Sequence, residues 1–222
     1  MAKLVVLMGA PGAGKGTQAR LLEERLGLPQ ISTGDIFREL ARAQTPLAEE
    51  VRTVQASGNL ISDELVIRIV EERISRDDCL NGCVLDGFPR TAVQAEMLEK
   101  LAASHQNEIV AILCDVPFAI LEKRATGRRS CPICGEIYNI YFKPPKSDNL
   151  CDFHPEAQLV HRPDDTTEKI KVRLDNYLNL TAPILEYYES SGRLHRVDGA
   201  RDTSLVYADI ERIVRAGQLV PA

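Results

Sequence analysis

A glycine-rich loop with a single lysine follows the first apolar run of the chain. Residues 4–8 read LVVLM, residues 9–17 read GAPGAGKGT, and a helical pattern starts at Lys15. Glycines let backbone N–H groups converge on an anion, and the positive end of the following helix points at the same place. A strand, this loop and a helix in that order predict a site for the phosphates of a nucleoside triphosphate, with Lys15 bridging the outer phosphates.

The loop departs from the common pattern at one position, because Gly16 separates Lys15 from Thr17. A serine or threonine directly after the lysine usually ligates magnesium, so direct ligation by the Thr17 hydroxyl is left open. Asp86, at the end of an apolar run, is the preferred magnesium ligand, directly or through a water molecule.

Short apolar runs alternate with amphipathic stretches along most of the chain. The predicted strands cover residues 5–8, 30–31, 83–85, 109–114 and 194–197, and the predicted helices cover 15–26, 33–43, 62–75, 91–103, 117–126 and 166–190. This alternation is typical of a parallel sheet covered by helices on both faces. The sequence therefore predicts a three-layer α/β/α fold.

Two stretches interrupt the alternation. From about residue 128 to 165 the helical period is lost, and cysteines, a proline pair and aromatic residues appear instead, which indicates a small β-rich insertion. From about residue 32 to 61 short helices are broken at Thr45-Pro46 and at residues 57–59. We expect one core domain over residues 1–222 that carries two insertions.

Four side chains of the first of these stretches have the spacing of a metal site. Cys131 and Cys134 form one pair, and Cys151 and His154 form a second pair, with sixteen residues between the two pairs. Three thiolates and one imidazole make a closed tetrahedral shell, which predicts structural zinc. A disulfide between Cys131 and Cys134, an insertion that folds without metal, and His161 as the fourth ligand are the alternatives.

Composition excludes several classes of protein. The hydrophobic fraction of 44% suits a folded core, and the formal net charge of -5 does not favour nucleic acid as a partner. No apolar run reaches the roughly 18 residues of a membrane span, and the amino-terminal apolar stretch is shorter than that of a secretory signal. We expect a cytoplasmic protein without a membrane or nucleic-acid partner.

Five segments together resemble the adenylate kinase family, in its form with a large lid. They read GAPGAGKGTQA, ISTGDIFR, DGFPRT, TGRR and HRPDD, and the resemblance extends from the first strand to the last helix. It implies the reaction ATP + AMP ⇌ 2 ADP with Mg²⁺, a five-stranded parallel P-loop sheet and a monomer. It also implies an AMP-binding segment at residues 32–61 and a lid at 127–164, which in some members holds zinc.

The resemblance also implies a role for individual residues. The ATP contacts are Gly12, Ala13, Gly14, Lys15, Gly16, Thr17, Arg124, Arg128, Ile137, Tyr138 and Arg201. The AMP contacts are Thr33, Arg38, Asn59, Leu60, Ile61, Gly87, Phe88, Pro89, Arg90, Gln94, Arg162 and Arg173. The catalytic cations are Lys15, Arg90, Arg128, Arg162 and Arg173. Gln94 reaches the adenine edge in this scheme, and Arg201 stands where the family often has lysine, so its contact could come from the backbone.

Physical chemistry is consistent with this scheme. A transferring phosphoryl group spreads negative charge over its oxygens, so positioned cations and magnesium carry most of the catalysis. The acceptor phosphate is already ionised at neutral pH, and no general base is needed. Asp164 and Asp165, beside Arg162, are expected to partner arginines when the lid closes and excludes water.

Two other interpretations remain open from the sequence. One is a nucleotide-switched binding module whose zinc-bearing insertion contacts nucleic acid, although basic and acidic residues are mixed there. The other lies within the enzyme class: an AMP kinase that prefers GTP, or a pyrimidine nucleotide kinase. Assays with different donors and acceptors separate them.

Overall fold

The structure is a computed structural model that describes residues 2–57 and 59–216. Its strands are β1 (Lys3–Met8), β2 (Gln30–Ser32), β3 (Gly82–Asp86), β4 (Glu108–Asp115), β5 (Arg128–Ser130), β6 (Ile137–Asn139) and β7 (Leu194–Asp198). Its α-helices are α1 (Lys15–Leu26), α2 (Thr33–Leu40), α3 (Pro46–Ser57), α4 (Asp63–Ile74), α5 (Ala92–Ser104), α6 (Phe118–Thr126), α7 (Thr167–Asn176), α8 (Ala182–Ser190) and α9 (Thr203–Arg215). A 3₁₀ turn covers Asp77–Cys79.

Five strands form one parallel sheet in the order β2-β3-β1-β4-β7. In the central strand β1, Leu7 pairs with Asp86 of β3 on one side and with Ile112 of β4 on the other. The chain builds the β3 side first and then crosses to the β4 side, and ligands of such sheets bind where the order reverses, beyond the carboxyl ends of the strands. The predicted fold class is confirmed.

Alternate residues of β1 enter two separate apolar cores. Leu4 and Val6 are buried with residues of α4, α5 and α8 on one face, whereas Val5 and Leu7 are buried with residues of α1, α6 and α9 on the other. A strand buried on both faces has no polar side to alternate with, so it reads as a continuous apolar run. The loop that follows β1 is thus anchored in the middle of three layers.

The helices differ from the sequence prediction in three places. The helix expected at 33–43 ends at Leu40, and the helix expected at 166–190 contains a π-helical segment at Tyr177–Thr181 between α7 and α8. Helix α9 was not predicted, although Val206, Ile210 and Val214 are buried along one face. Lys3 donates hydrogen bonds to the carbonyls of Val214 and Ala216, which joins the end of α9 to the first strand.

Residues 127–164, called the 127–164 insertion below, form little regular structure. β5 and β6 pair in antiparallel fashion, and isolated bridges join Ser130 to Val160 and Leu150 to Gln158. The regular structure of the insertion is thus β-type, as expected, but it consists of two three-residue strands and isolated bridges. The division of the chain into a core and two functional insertions remains a prediction.

No helix within residues 2–57 and 59–216 is both long enough and apolar enough to cross a bilayer.

Candidate active site

The glycine-rich loop lies at the carboxyl end of the central strand. Gly12 and Gly14 have φ angles of 86° and 91°, which residues with a side chain rarely adopt. A Cβ atom on Gly12 would also lie 2.6 Å from the carbonyl oxygen of Leu121. Helix α1 begins at Lys15, immediately after the loop, so its positive end lies at this edge of the sheet.

Lys15 folds back over the loop that precedes it. Its ammonium group donates hydrogen bonds to the carbonyl oxygens of Gly9 at 2.7 Å and Ala10 at 3.1 Å. Burial lowers the pKa of Lys15 to about 8; the Asp86 carboxylate opposes this shift, and the Arg90 charge adds to it. Burial makes the charged form of Lys15 unfavourable in the free protein. A polyanion bound beside it would therefore stabilise that charged form.

Asp86 ends β3, beside the start of α1. One of its carboxylate oxygens accepts a hydrogen bond from the Gln30 side chain at 3.2 Å. A Cβ atom on Gly16 would lie 3.2 Å from that same oxygen, so the carboxylate sits directly against the first turn of α1. Thr17 is half-buried in that turn. Asp86 and Thr17 are therefore placed where they could hold a magnesium ion with the nucleotide phosphates.

A cleft of about 640 Å³ opens between the 32–61 segment, the chain after β3, and α7. Nine of the residues predicted to contact AMP line it: Thr33, Arg38, Asn59, Leu60, Ile61, Gly87, Arg90, Gln94 and Arg173. Gly34, Phe37, Val66 and Asp164 complete its wall. The structure thus brings together side chains that are up to 140 positions apart in the sequence, from Thr33 to Arg173. We call it the first cleft.

A second cleft of about 570 Å³ lies against the glycine-rich loop. Gly9, Pro11 and Lys15 line it from the loop side, and Phe88 and Pro89 line it from the chain after β3. Four residues border both clefts, namely Leu60, Gly87, Arg90 and Arg173. Two spaces that share two arginines form a continuous chamber with the lysine at one side.

Arg90 is held firmly at the boundary between the clefts. Its side-chain Nε donates to the carbonyl of Gly87 at 2.7 Å, and its own carbonyl accepts a hydrogen bond from Thr181 at 3.0 Å. Burial lowers the pKa of Arg90 to about 10, and the neighbouring charge of Arg173 lowers it further. Thr181 belongs to the π-helical segment, so that irregular turn holds an arginine that was predicted to be catalytic.

Gln94 lines the first cleft and is only 2% exposed. Its Nε2 donates to a carboxylate oxygen of Asp63 at 2.7 Å, and its Oε1 accepts the backbone N–H of Arg90 at 2.7 Å. Thr33 is also buried, and its hydroxyl donates to the carbonyl of Gly87 at 2.9 Å. The two residues predicted to contact the acceptor base therefore have fixed positions.

Asp165 joins two of the predicted catalytic arginines. It is fully buried and accepts two hydrogen bonds from Arg128, at 2.8 and 2.6 Å, and one from Arg173, at 3.0 Å. Arg173 also donates to the Asp164 carboxylate at 3.0 Å. Burial by itself lowers the pKa of Arg128, but the hydrogen bonds and charge of Asp165 outweigh this effect and raise it.

Asp35 joins two other arginines, of which Arg38 lines the first cleft. Arg38 donates to one of its oxygens at 2.5 Å, and Arg162 lies 3.7 Å from the same oxygen. Burial lowers the pKa of Arg162 to about 10, and the charges of Arg128 and Arg38 contribute to the shift. Four arginines thus share three carboxylates, and this excess of positive charge favours anionic ligands.

The residues predicted for the ATP side that lie beyond the loop are spread over a wider region. Arg124 donates to the carbonyls of Gly199 and Ala200 at 2.7 and 3.3 Å. Arg201 is exposed and pairs with Asp209. Ile137 is half-buried in β6. The phenol of Tyr138 faces into the 127–164 insertion, so a nucleotide contact there would come from the backbone.

Four potential metal ligands meet in the 127–164 insertion. The ligand atoms of Cys131, Cys134, Cys151 and His154 all lie within 4.8 Å of one another. The sulfur atoms of Cys134 and Cys151 are 3.8 Å apart, and Nδ1 of His154 is 3.9 Å from the latter sulfur. Tetrahedral zinc with Zn–S bonds of about 2.3 Å places two sulfur atoms about 3.8 Å apart. The predicted set therefore fits zinc.

The surroundings of Cys151 favour its thiolate form. Burial alone would raise its pKa, but hydrogen bonds from the Tyr138 hydroxyl and from the backbone N–H groups of Phe153 and His154 bring the pKa to about 6. A thiolate is the form that binds metal. His161 is exposed, and it is not part of the four-residue group found among the described residues.

Sequence reasoning missed several residues of the site. Asp35 and Asp63, which hold the side chains of Arg38 and Gln94, were not among the predicted site residues. Tyr177 and Thr181 border the second cleft, but a regular helix was expected there. A π-helical turn changes which side chains share a face, and no local pattern in the sequence marks it.

The parallel sheet, the glycine-rich loop and the two arginine-lined clefts define a phosphate-binding-loop kinase. A family model described as Adenylate kinase matches residues 7–193. The chain is 44% identical over 214 residues to the adenylate kinase of Nitrosococcus oceani, which covers 96% of this chain and 99% of that protein. It is also 44% identical to the adenylate kinases of Clostridium novyi, over 93% of this chain and 95% of that protein, and Oceanobacillus iheyensis, over 95% and 98%.

The chain belongs to the adenylate kinase family. It is therefore a kinase enzyme that transfers phosphoryl groups between adenine nucleotides.

Proposed function

We propose that this enzyme catalyses ATP + AMP ⇌ 2 ADP with Mg²⁺, with ATP at the glycine-rich loop and AMP in the first cleft. The observation that carries the proposal is the shared boundary of the two clefts. Arg90 and Arg173 line both, and Lys15 lines the second. Cations at a shared boundary can contact a phosphoryl group both before and after it is transferred from one cleft to the other.

On the donor side, the loop from Gly12 to Thr17 surrounds the ATP phosphates. Lys15 exchanges its hydrogen bonds with Gly9 and Ala10 for bonds to phosphate oxygens, which restore the charge that burial disfavours. Arg124, Ile137, Tyr138 and Arg201 contribute the remaining nucleotide contacts, through side chains or backbone. Asp86 and Thr17 would hold Mg²⁺, which would neutralise charge on the phosphates.

On the acceptor side, Arg38 and Arg90 bind the AMP phosphate. Thr33 and Gln94 contact the adenine, and the backbone of Asn59, Leu60 and Ile61 closes the wall beside it. Phe88 and Pro89, after Gly87, shape the boundary with the donor cleft. Both arginines are planar donors that suit bidentate contact with phosphate oxygens.

The transfer itself needs positioning and charge stabilisation. The attacking AMP oxygen is ionised at neutral pH, so that no side chain has to remove a proton. Arg90, Arg128, Arg162 and Arg173, together with Lys15, surround the phosphoryl group and stabilise the charge on its oxygens. Direct hydrolysis is avoided because water is excluded while both nucleotides are bound.

The 127–164 insertion acts as the lid in this scheme, and the 32–61 segment acts as the AMP-binding segment. Arg128 stands at the start of the lid, and Arg162 stands close to its end. Asp164 and Asp165 hold Arg128 and Arg173 at this hinge, so that the arginines are oriented before nucleotides arrive. Preorganised charges need little rearrangement in the transition state.

Cys131, Cys134, Cys151 and His154 would hold a structural zinc ion, which would stabilise the lid. Four protein ligands are typical of structural zinc sites, so the ion would take no part in the chemistry. We further propose that the enzyme acts as a monomer in the cytoplasm and balances adenine nucleotide pools there. No nucleic-acid or membrane partner is needed for any step.

The test measures ADP formation from ATP plus AMP in a coupled assay, with and without Mg²⁺. We expect activity that requires AMP and Mg²⁺, and a bisubstrate dinucleotide that binds with a stoichiometry of one. ATP hydrolysis that does not depend on AMP would contradict the proposal and favour a nucleotide-switched module. Faster transfer to CMP or UMP, or from GTP, would place the enzyme in a neighbouring class.

Lys15→Met serves as the variant in the same assay. We expect kcat to fall by about 10²-fold or more, because a preorganised cation at the phosphates is lost. Lys100→Met is the matched control, since Lys100 is an exposed lysine of α5. Equal activity of the two variants would remove Lys15 from the mechanism.

A further inference from the structure

The side-chain amide of Gln94 makes one hydrogen bond through its oxygen and one through its nitrogen. Each of the two partners is compatible with only one orientation of the amide. The carboxylate of Asp63 can only accept hydrogen bonds, and it receives Nε2 at 2.7 Å. The backbone N–H of Arg90 can only donate, and it contacts Oε1 at 2.7 Å. If the amide flipped, an oxygen would face the carboxylate and an NH₂ group would face the N–H. Both contacts would become repulsive.

Asp63 is itself held in place. The Thr91 hydroxyl lies 3.1 Å from both of its carboxylate oxygens. Thr91 also caps α5, because its hydroxyl oxygen accepts the backbone N–H of Gln94 at 3.2 Å. Asp63 begins α4, so these bonds join the first turns of two helices. The carboxylate cannot simply rotate away from Gln94 without loss of these contacts.

The fixed amide presents one remaining N–H of Nε2 and one remaining lone pair of Oε1. Adenine offers a donor at its 6-amino group and an acceptor at the adjacent ring nitrogen N1. Hypoxanthine offers the reverse order, with an acceptor at the 6-oxo group and a donor at N1. One amide orientation matches adenine, and the flipped orientation matches hypoxanthine. An amide that could flip freely would accept both bases.

We propose that Asp63 is a positioning residue that makes the acceptor cleft selective for a 6-aminopurine over a 6-oxopurine. It does so by fixing the orientation of the Gln94 amide. Gln94 lines the first cleft, whereas Asp63 is not among the lining residues in the described part of the chain. The inference rests on the proposed function, because it takes AMP as the occupant of this cleft.

The experiment compares AMP and inosine monophosphate as acceptors, with ATP as the donor. Asp63→Ala should lower kcat/KM for AMP by about 10-fold, mainly through KM, and reduce the AMP preference by about 10-fold, as expected for one bidentate base contact. Asp63→Asn should give a smaller loss, because its oxygen can still accept from Nε2 while its NH₂ group can also bind a flipped amide. Glu64→Ala, an exposed carboxylate in the same turn, should leave both values within about 2-fold of the wild type.

A double-mutant cycle separates positioning from a merely structural contribution. In a Gln94→Ala background, Asp63→Ala should no longer change the AMP preference, because there is no amide left to orient. An equal loss of preference in that background would overturn the proposal. So would an unchanged preference in both Asp63 variants. Asp63→Asn keeps the test decisive if Asp63→Ala does not fold.

The result also distinguishes this inference from the proposed function. If the wild-type protein forms no ADP from ATP and AMP, the proposed function fails. If it does so with a strong preference for AMP, and the Asp63 variants keep that preference, only the inference about Asp63 fails.

Discussion

The core and the 127–164 insertion differ in how they are stabilised. The core has two apolar clusters, one on each face of the sheet, with strand residues such as Val6 and Leu7 almost fully buried. The buried cluster of the insertion consists of five residues, and two of them, Cys131 and Cys151, are predicted metal ligands. The core is therefore stabilised by a large buried apolar surface, whereas the insertion buries little apolar surface.

The exposed side chains of the insertion show how little apolar surface it buries. Ile133, Tyr141, Phe142 and Phe153 of the insertion are more than half exposed, so they contribute little buried apolar surface. A region this small commonly needs a metal or a disulfide for stability. The stability that a metal ion bound by these four ligands would add is local, and it should leave the sheet and its loop unaffected. The predictions below test this separation.

Metal removal should have the largest effect, and it should be confined to the insertion. Structural zinc sites contribute on the order of 10 kcal/mol to the folding of the unit that holds them. We expect His154→Ala to lose the bound metal and to become sensitive to proteases within residues 131–160. Metal content by atomic spectroscopy and mapping of the cleavage sites measure both.

His161→Ala is the matched control, because His161 is an exposed histidine seven positions further on. It should keep one metal ion per chain and resist protease as the wild type does. Metal loss in His161→Ala but not in His154→Ala would overturn the ligand assignment.

A cavity in the core should lower the stability of the whole protein. Leu85 in β3 is fully buried, and Leu85→Ala should lower the free energy of unfolding by about 3 kcal/mol. Denaturant unfolding followed by circular dichroism measures this change, and the metal content of the folded protein should not change. Leu80→Ala is the control, since Leu80 is 72% exposed. If the two variants were equally stable, the description of the core would be wrong.

Asp165 lies directly after the 127–164 insertion, where the chain returns to the core. Asp165→Asn keeps the size of the side chain but removes the charge that Arg128 and Arg173 share. We expect a loss of about 2 kcal/mol in unfolding free energy, because two partly buried arginines lose the buried carboxylate that they share. We also expect a lower kcat, since the arginines are less well positioned.

Unfolding curves and the ADP assay measure these effects, and Asp175→Asn, an exposed carboxylate of α7, is the control. Unchanged stability, turnover and ATP hydrolysis in Asp165→Asn would exclude the proposed contribution of this residue.

The smallest expected effect is a pH dependence that originates in the core. The pKa of Lys15 is lowered from 10.5 to about 8, so between these values the unfolded chain keeps a proton that the folded protein has lost. The unfolded state then binds more protons, and the stability of the nucleotide-free protein rises with pH across this window. Below about pH 8 both states are charged, and the cost of burying the charge is present in full.

We expect the unfolding free energy of the wild-type protein to rise with pH across this window relative to that of Lys15→Met, and to run parallel to it below about pH 8. Unfolding free energies measured at several pH values for both proteins give the difference. Parallel profiles would mean that burial does not shift the pKa of Lys15.

Much of the fold could be predicted, because its signals are local. A buried parallel strand reads as an apolar run, and a loop that holds phosphate needs glycines at fixed positions, as at Gly12 and Gly14. Helix α9 was missed although its buried face is regular. The predicted end of α2 was three residues too late, since helix ends depend on caps and neighbours more than on the pattern.

The sequence by itself determined the sheet, the phosphate-binding loop and the four potential zinc ligands, since each requires particular residue types at short, fixed spacing. Only the tertiary structure decided which carboxylates hold the arginines and how the Gln94 amide is oriented. Asp63 and Gln94, or Asp35 and Arg162, meet because separate elements pack together. Hydrogen bonds between distant residues depend on that packing, and no local pattern encodes it.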